Sequence, residues 1–124
     1  MTKHAGATIA VVEDNDGVRM ALQELLRSAG FTAIAFASAE EFLGDPGNAS
    51  VDCLIADINL PGMSGVELVK RLGVTGQRLP VVLITGSRDP ATAELARQVP
   101  DVPRLNKPFS DAALFEVIDQ VRHT

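Results

Sequence analysis

The sequence predicts an α/β fold, a parallel sheet of five strands with helices packed on both faces. Two observations predict it. Short apolar runs rich in Val, Ile, Leu and Ala read as buried strands. Between each run and the next stands a stretch with helical spacing, and parallel neighbours need such a crossover connection.

Thr8-Ile9-Ala10-Val11-Val12 is the first strand and ends in acids. Residues 16–29 follow as a helix: Val18, Leu22, Leu25, Leu26 and Ala29 fall on one face, and Gly30 supplies the stop. Residues 32–36 are the second strand. Ser38, with Glu41 three residues on, is a capping-box signal for a short helix through Leu43. The composition of residues 44–50, GDPGNAS, predicts a loop. Residues 52–56 are a third strand closed by Asp57; Pro61 to Gly65 form a turn, and residues 66–72 a helix. Residues 79–84 are a fourth strand closed by Thr85-Gly86. Residues 90–98 are a helix with Pro90 in its first turn. Residues 104–106 are a short fifth strand closed by Lys107-Pro108. Ser110 caps a last helix that buries Leu114, Val117, Ile118 and Val121. Right-handed crossovers turn this order into a three-layer α/β/α sandwich.

The chain of 124 residues is read as one domain, with its core at about 8–121. Five Phe and no Trp or Tyr make that core aliphatic. A net charge of −5 lacks the basic footprint of a direct nucleic-acid binder. Cys53 stands alone within an apolar run, so a buried core residue and a reduced, cytoplasmic setting are expected. Residues 1–7 are too polar for a secretory signal, and no apolar run approaches the length of a membrane span.

In open parallel sheets, ligands bind outside the carboxyl ends of the strands. There lie Glu13 and Asp14 after the first strand, Asp57 after the third, Thr85 after the fourth and Lys107 after the fifth. Carboxylates gathered in one pocket raise a pKa or recruit a cation, and an all-oxygen set with few protein ligands suits Mg²⁺. With an ammonium and a hydroxyl added, the set fits phosphoryl transfer, in which a carboxylate is the nucleophile. The adjacent Glu13 and Asp14 are better placed to hold metal, and the central Asp57 to attack. Each residue also has an ordinary reading: residues 13–16 as a solvated loop capping a helix, Thr85 as a strand-end residue, Lys107 as a surface lysine. Their joint occurrence outweighs it. Asp16 is expected to start the helix, Met20 and Met63 to pack or turn, and Phe115 to edge the core. His4 and His123 are expected to be exposed and without a role.

The segments Val11-Val12-Glu13-Asp14-Asn15, Leu54-Ile55-Ala56-Asp57-Ile58-Asn59-Leu60-Pro61-Gly62-Met63-Ser64-Gly65, Val82-Leu83-Ile84-Thr85-Gly86 and Lys107-Pro108-Phe109 resemble the receiver domain of two-component response regulators. The resemblance runs from about residue 8 to 121. It implies a flavodoxin-like, doubly wound sheet of order 2-1-3-4-5 with five helices. It implies Asp57 as phosphoacceptor, with Glu13, Asp14, Asp57 and the backbone carbonyl of Asn59 as Mg²⁺ ligands. Thr85 is implied as the switch hydroxyl, Lys107 as the partner of a phosphoryl oxygen, and the Lys107-Pro108 bond as cis. The implied donor is a phosphohistidine on a histidine kinase or a histidine phosphotransfer protein. The implied output is a signalling domain rather than an enzyme. A homodimer or a partner would form on the face of the fourth helix, fifth strand and fifth helix, which carries Arg97, Arg104 and Glu116. The family often has Tyr or Phe three residues before the lysine; here Arg104 stands there, so output is expected through Arg104 itself or through loop ordering.

Two alternatives stay open. Asp14-Asn15-Asp16-Gly17-Val18 fits the D-x-D-x-[TV] motif of haloacid-dehalogenase-like phosphatases, with Asp14 as nucleophile and Asp16 as acid/base, although no acidic pair follows Lys107. A degenerate receiver used only for binding is the other. Nothing in these residues follows the last helix as an output domain, so a stand-alone regulator and a piece of a longer protein are equally expected.

Overall fold

The computed structural model describes residues 6–123; His4 lies outside them. In chain order the elements are β1 (Thr8–Val12), α1 (Asp16–Ser28), β2 (Thr32–Phe36), α2 (Ala39–Gly44), β3 (Cys53–Asp57), α3 (Gly65–Val74), β4 (Val81–Thr85), α4 (Pro90–Arg97), β5 (Arg104–Asn106) and α5 (Asp111–Arg122). The strands form one parallel sheet in the order β2-β1-β3-β4-β5, as expected.

The central strands are apolar because both of their faces are covered. Every residue of β3 and of β4 is buried. Successive side chains of a strand point to opposite faces, so β3 feeds two cores. Leu54 and Ala56 join Phe42, Val66, Leu68 and Leu72 on the side of α2, α3 and α4. Cys53 and Ile55 join Leu22, Leu26, Leu114 and Ile118 on the side of α1 and α5. The two layers follow from handedness. The chain steps from β1 to β2 in one direction and through β3, β4 and β5 in the other, and right-handed crossovers then place α1 opposite α2 to α4.

Side chains stop the helices from fraying. Asn15, Ser38, Ser64, Asp89 and Ser110 each accept an amide of the first turn of α1, α2, α3, α4 and α5 respectively. The Ser38–Glu41 pair acts in both directions, since Glu41 Oε2 also accepts the Ala37 amide at 2.9 Å. Gly30 ends α1 with φ at +98°, a conformation that glycine tolerates best.

Several boundaries depart from the sequence expectation. The loop at 44–50 contains a 3₁₀ turn, Pro46–Ser50, because Asp45 caps it and Pro46 presets its first φ. β3 begins one residue later than expected, at Cys53: Asp52 is exposed, and its carboxylate accepts the Thr8 amide at 2.7 Å. Asp57 is accordingly the last rung of the strand, paired with Ile84, rather than the residue beyond it. Thr85 likewise closes β4 from within, and β4 starts at Val81 after Pro80, which has no amide to give. Met20 is 58% exposed and does not pack. Among the described residues no helix is long and apolar enough to cross a membrane.

Candidate functional site

The chain leaves β1 toward β2 and leaves its neighbour β3 toward β4, so the switch point of the sheet, where ligands of open parallel sheets bind, lies at the carboxyl ends of β1 and β3. Glu13 leaves β1 and Asp57 ends β3 on either side of it. Both are buried, whereas Asp14, one residue further along, is exposed at the rim. One carboxylate oxygen from each of Glu13, Asp14 and Asp57 lies within 4.8 Å of the others. At that range each pair of charges repels by roughly 3 kcal/mol at an effective dielectric near 20, so the cluster needs a cation.

Lys107 provides one. Its backbone amide donates to Thr85 O at 2.7 Å, which carries the β4–β5 pairing one residue past β5. Its Nζ then reaches Glu13 Oε1 at 2.6 Å and Asp57 Oδ2 at 2.7 Å. Burial pulls the Lys107 pKa down, but the hydrogen bonds to Asp57 and Glu13 outweigh it, and the net shift is upward. The ammonium is therefore charged. Burial pushes the Glu13 carboxyl above the usual carboxylate range. The Lys107 and Asn15 hydrogen bonds draw it partly back, while the charge on Asp57 adds to the rise. The other oxygens are also held: Asn59 donates its amide to Asp57 Oδ1 at 2.8 Å, and Asn15 donates to Glu13 Oε2 at 3.2 Å. A compact set of hard oxygen donors at a rim open to solvent fits a divalent cation that keeps part of its water shell.

Thr85 is buried at the same sheet end, and its hydroxyl accepts the Ser87 amide at 3.1 Å. At Gly86 an added Cβ would lie 3.5 Å from Lys107 Cδ, in ordinary contact. The Lys107-Pro108 bond is cis. The structure thus brings Glu13, Asp14, Asp57 and Lys107 together, with Asn59 and Thr85 alongside. Asp16, which a dehalogenase-like reaction needs as acid/base, is outside the cluster; it is exposed and paired with Arg19 at 2.5 Å. Arg104 is exposed on β5. His123 is exposed, Phe115 packs against Phe31 at the core edge, and Cys53 is fully buried.

Some supporting residues carry no motif signal of their own. Arg19 Nη1 binds the carbonyls of Glu13 at 3.0 Å and Asp14 at 3.4 Å and so holds the acidic turn. Glu40 Oε2 accepts the Met63 amide at 3.2 Å and grips the turn after β3. Gly65 stands where a Cβ would be 2.4 Å from the Asp57 carbonyl oxygen, so the start of α3 approaches the site backbone closely. Thr92 of α4 is buried and bonded to Asn59.

Comparison with known proteins identifies the family and the fold. The family model of the response regulator receiver domain matches residues 9–119. The response regulator protein TmoT of Ectopseudomonas mendocina is 34% identical over 112 residues, 90% of this chain and 51% of that protein. The transcriptional regulatory protein FixJ of Bradyrhizobium diazoefficiens is 35% identical over 111 residues, 90% of this chain and 54% of that protein. The structure of full-length FixJ from B. japonicum matches with a TM-score of 0.85 at 33% identity, covering 96% of this chain and 59% of that one. The chemotaxis protein CheY4 of Vibrio cholerae matches with a TM-score of 0.81 at 28% identity, covering 94% and 99%. The chain spans about half the length of the curated relatives it matches.

Proposed function

This chain belongs to the response regulator receiver domain family, and from that premise we propose that it is a phosphoacceptor working through Asp57. A carboxylate oxygen of Asp57 attacks the phosphorus of a phosphohistidine. The P–N bond breaks with its electron pair left on the ring nitrogen, the imidazole leaves neutral because its other nitrogen already carries a proton, and an aspartyl phosphate forms. The observation that carries this reading is Lys107 Nζ, held 2.6 Å from Glu13 and 2.7 Å from Asp57 across three separate segments of chain.

Each residue has a part in the transfer. The Asn59 amide orients the Asp57 carboxylate. Lys107 meets the charge that develops on a phosphoryl oxygen, and it is already in position, so little reorganisation is needed. Thr85 holds one hydroxyl hydrogen that it can turn toward another phosphoryl oxygen. Glu13, Asp14, Asp57 and the Asn59 backbone carbonyl would hold Mg²⁺, which supplies positive charge to the transferred group when bound. The phosphorylated domain then presents the region around α4 and β5 to a partner or an output module.

The same reading takes residues 1–124 as a single receiver in the cytoplasm, served by a histidine kinase or a histidine phosphotransfer protein. It binds no nucleic acid itself, and the α4–β5–α5 face, with Arg97, Arg104 and Glu116, is a surface for a second copy. In acetyl phosphate with Mg²⁺ the protein gains the mass of one phosphoryl group. It gains none when Mg²⁺ is chelated, and Asp57→Asn gains none. An undiminished gain by Asp57→Asn overturns the reading.

A further inference from the structure

α4 is seated unlike the other long helices. α1 buries Leu22 and Leu26, α3 buries Val66, Leu68 and Leu72, and α5 buries Leu114, Val117 and Ile118. α4 buries only Thr92 and Ala96. With so little apolar surface beneath it, hydrogen bonding makes up a larger share of what holds it.

That bonding converges on one hydroxyl. Thr92 Oγ1 lies 3.1 Å from Asn59 Oδ1 and 3.2 Å from Ser87 Oγ. A threonine hydroxyl has one hydrogen, and an amide oxygen can only accept. Thr92 therefore donates to Asn59 and accepts from Ser87, whose own oxygen accepts the Asp89 amide at 3.1 Å. Both ends of this chain reach the site. The Asn59 amide binds Asp57 Oδ1 at 2.8 Å, and the Ser87 amide binds Thr85 Oγ1 at 3.1 Å. The other end of α4 is fixed separately, by buried Ala96 and by a bond from Lys70 of α3 to Gln98. A cavity of about 140 Å³, bordered by Thr85, Ser87, Thr92, Ala93 and Arg104, leaves the first turn of α4 room to shift.

We propose that the Thr92 hydroxyl is the latch that ties the first turn of α4 to the phosphoacceptor, and that a phosphoryl group on Asp57 opens it by drawing the Thr85 hydroxyl away from the Ser87 amide. The inference rests on the phosphoacceptor reading and adds the residue through which the signal leaves the site. It also gives Arg104 no part in the first step: the route runs through α4, not through a side chain on β5.

The test is amide hydrogen exchange of residues 90–97 in the full chain, with and without beryllofluoride and Mg²⁺, with adduct formation followed by ¹⁹F NMR. In the wild type the adduct speeds exchange in this segment about tenfold, the equivalent of roughly one hydrogen bond. Thr92→Val exchanges at the fast rate before any adduct forms and does not respond to it, while its β-strand amides stay as slow as in the wild type. Thr92→Ser, which keeps the hydroxyl, behaves as the wild type. Ser87→Ala breaks the same chain at a half-buried position and reproduces Thr92→Val. Equal responses in the wild type and Thr92→Val, each with adduct present, overturn the latch alone. Failure of the wild type to form an adduct overturns the phosphoacceptor reading and the latch with it.

Discussion

Lys107 Nζ bridges two buried carboxylates at once, at 2.6 Å and 2.7 Å. Lys107→Met keeps the stem and removes the charge. Phosphorylation by acetyl phosphate should then slow about 100-fold, the usual loss when one preorganised electrostatic contact to a developing charge is removed. Intact mass measured over time checks this, and a rate within about twofold of the wild type would contradict the role given to Lys107. At this scale the sequence was legible where chemistry is unusual. Glu13, Asp14, Asp57 and Lys107 are distinctive polar residues next to apolar runs, so their convergence follows from the topology alone. Thr92 and Arg19 were not legible. A threonine inside a helix and an arginine one turn into another carry no pattern, and their partners, Asn59 and the Glu13 carbonyl, are set by packing that only coordinates reveal.

The start of α3 is the element most tightly joined to the site. A Cβ on Gly65 would run into the Asp57–Ile58 peptide: the Asp57 oxygen at 2.4 Å, the Asp57 carbon at 3.0 Å and Ile58 Cα at 3.1 Å. None of these is a flexible side chain, so Gly65→Ala must displace the β3 end itself. The expected cost is about 1–3 kcal/mol in urea unfolding, together with slower phosphorylation. Gly86→Ala is the control, because its Cβ would make an ordinary 3.5 Å contact with Lys107 Cδ and should leave stability nearly unchanged. Equal stability of the two variants would show that the close approach of α3 is not a constraint. Most elements were readable from hydrophobic spacing and caps, and all five helix caps lie where short polar residues precede apolar periodicity. The misplacements have local causes. Asp45 and Pro46 wind a loop into a 3₁₀ turn, Asp52 turns outward to the Thr8 amide, and Pro80 delays β4.

Across the whole molecule, two apolar layers enclose a sheet whose central strands never meet solvent, and Cys53 reports on that enclosure. It is fully buried at the start of β3, and burial raises its thiol from near 9 to about 12, against the opposing charge of Arg122. Ellman's reagent at pH 8 should react only as fast as the sheet opens, and fully once urea is added; rapid labelling of the native protein would contradict the enclosed core. The pH dependence has a definite sign. Between about pH 9 and pH 12 the unfolded thiol loses its proton while the folded one keeps it, so the unfolded state binds fewer protons and stability falls as pH rises, relative to Cys53→Ala. The strand order came from the family resemblance, whereas the three layers were readable at this scale because right-handed crossovers leave few alternatives. The output route was not, because it depends on how lightly α4 is seated. The most direct measurement is chemical: phosphorylate the protein with acetyl phosphate and Mg²⁺, reduce it with borohydride, and map the resulting homoserine by peptide sequencing. Homoserine at position 57 is the expected result; homoserine at position 14, or at neither, contradicts the assignment of Asp57 as the phosphoacceptor.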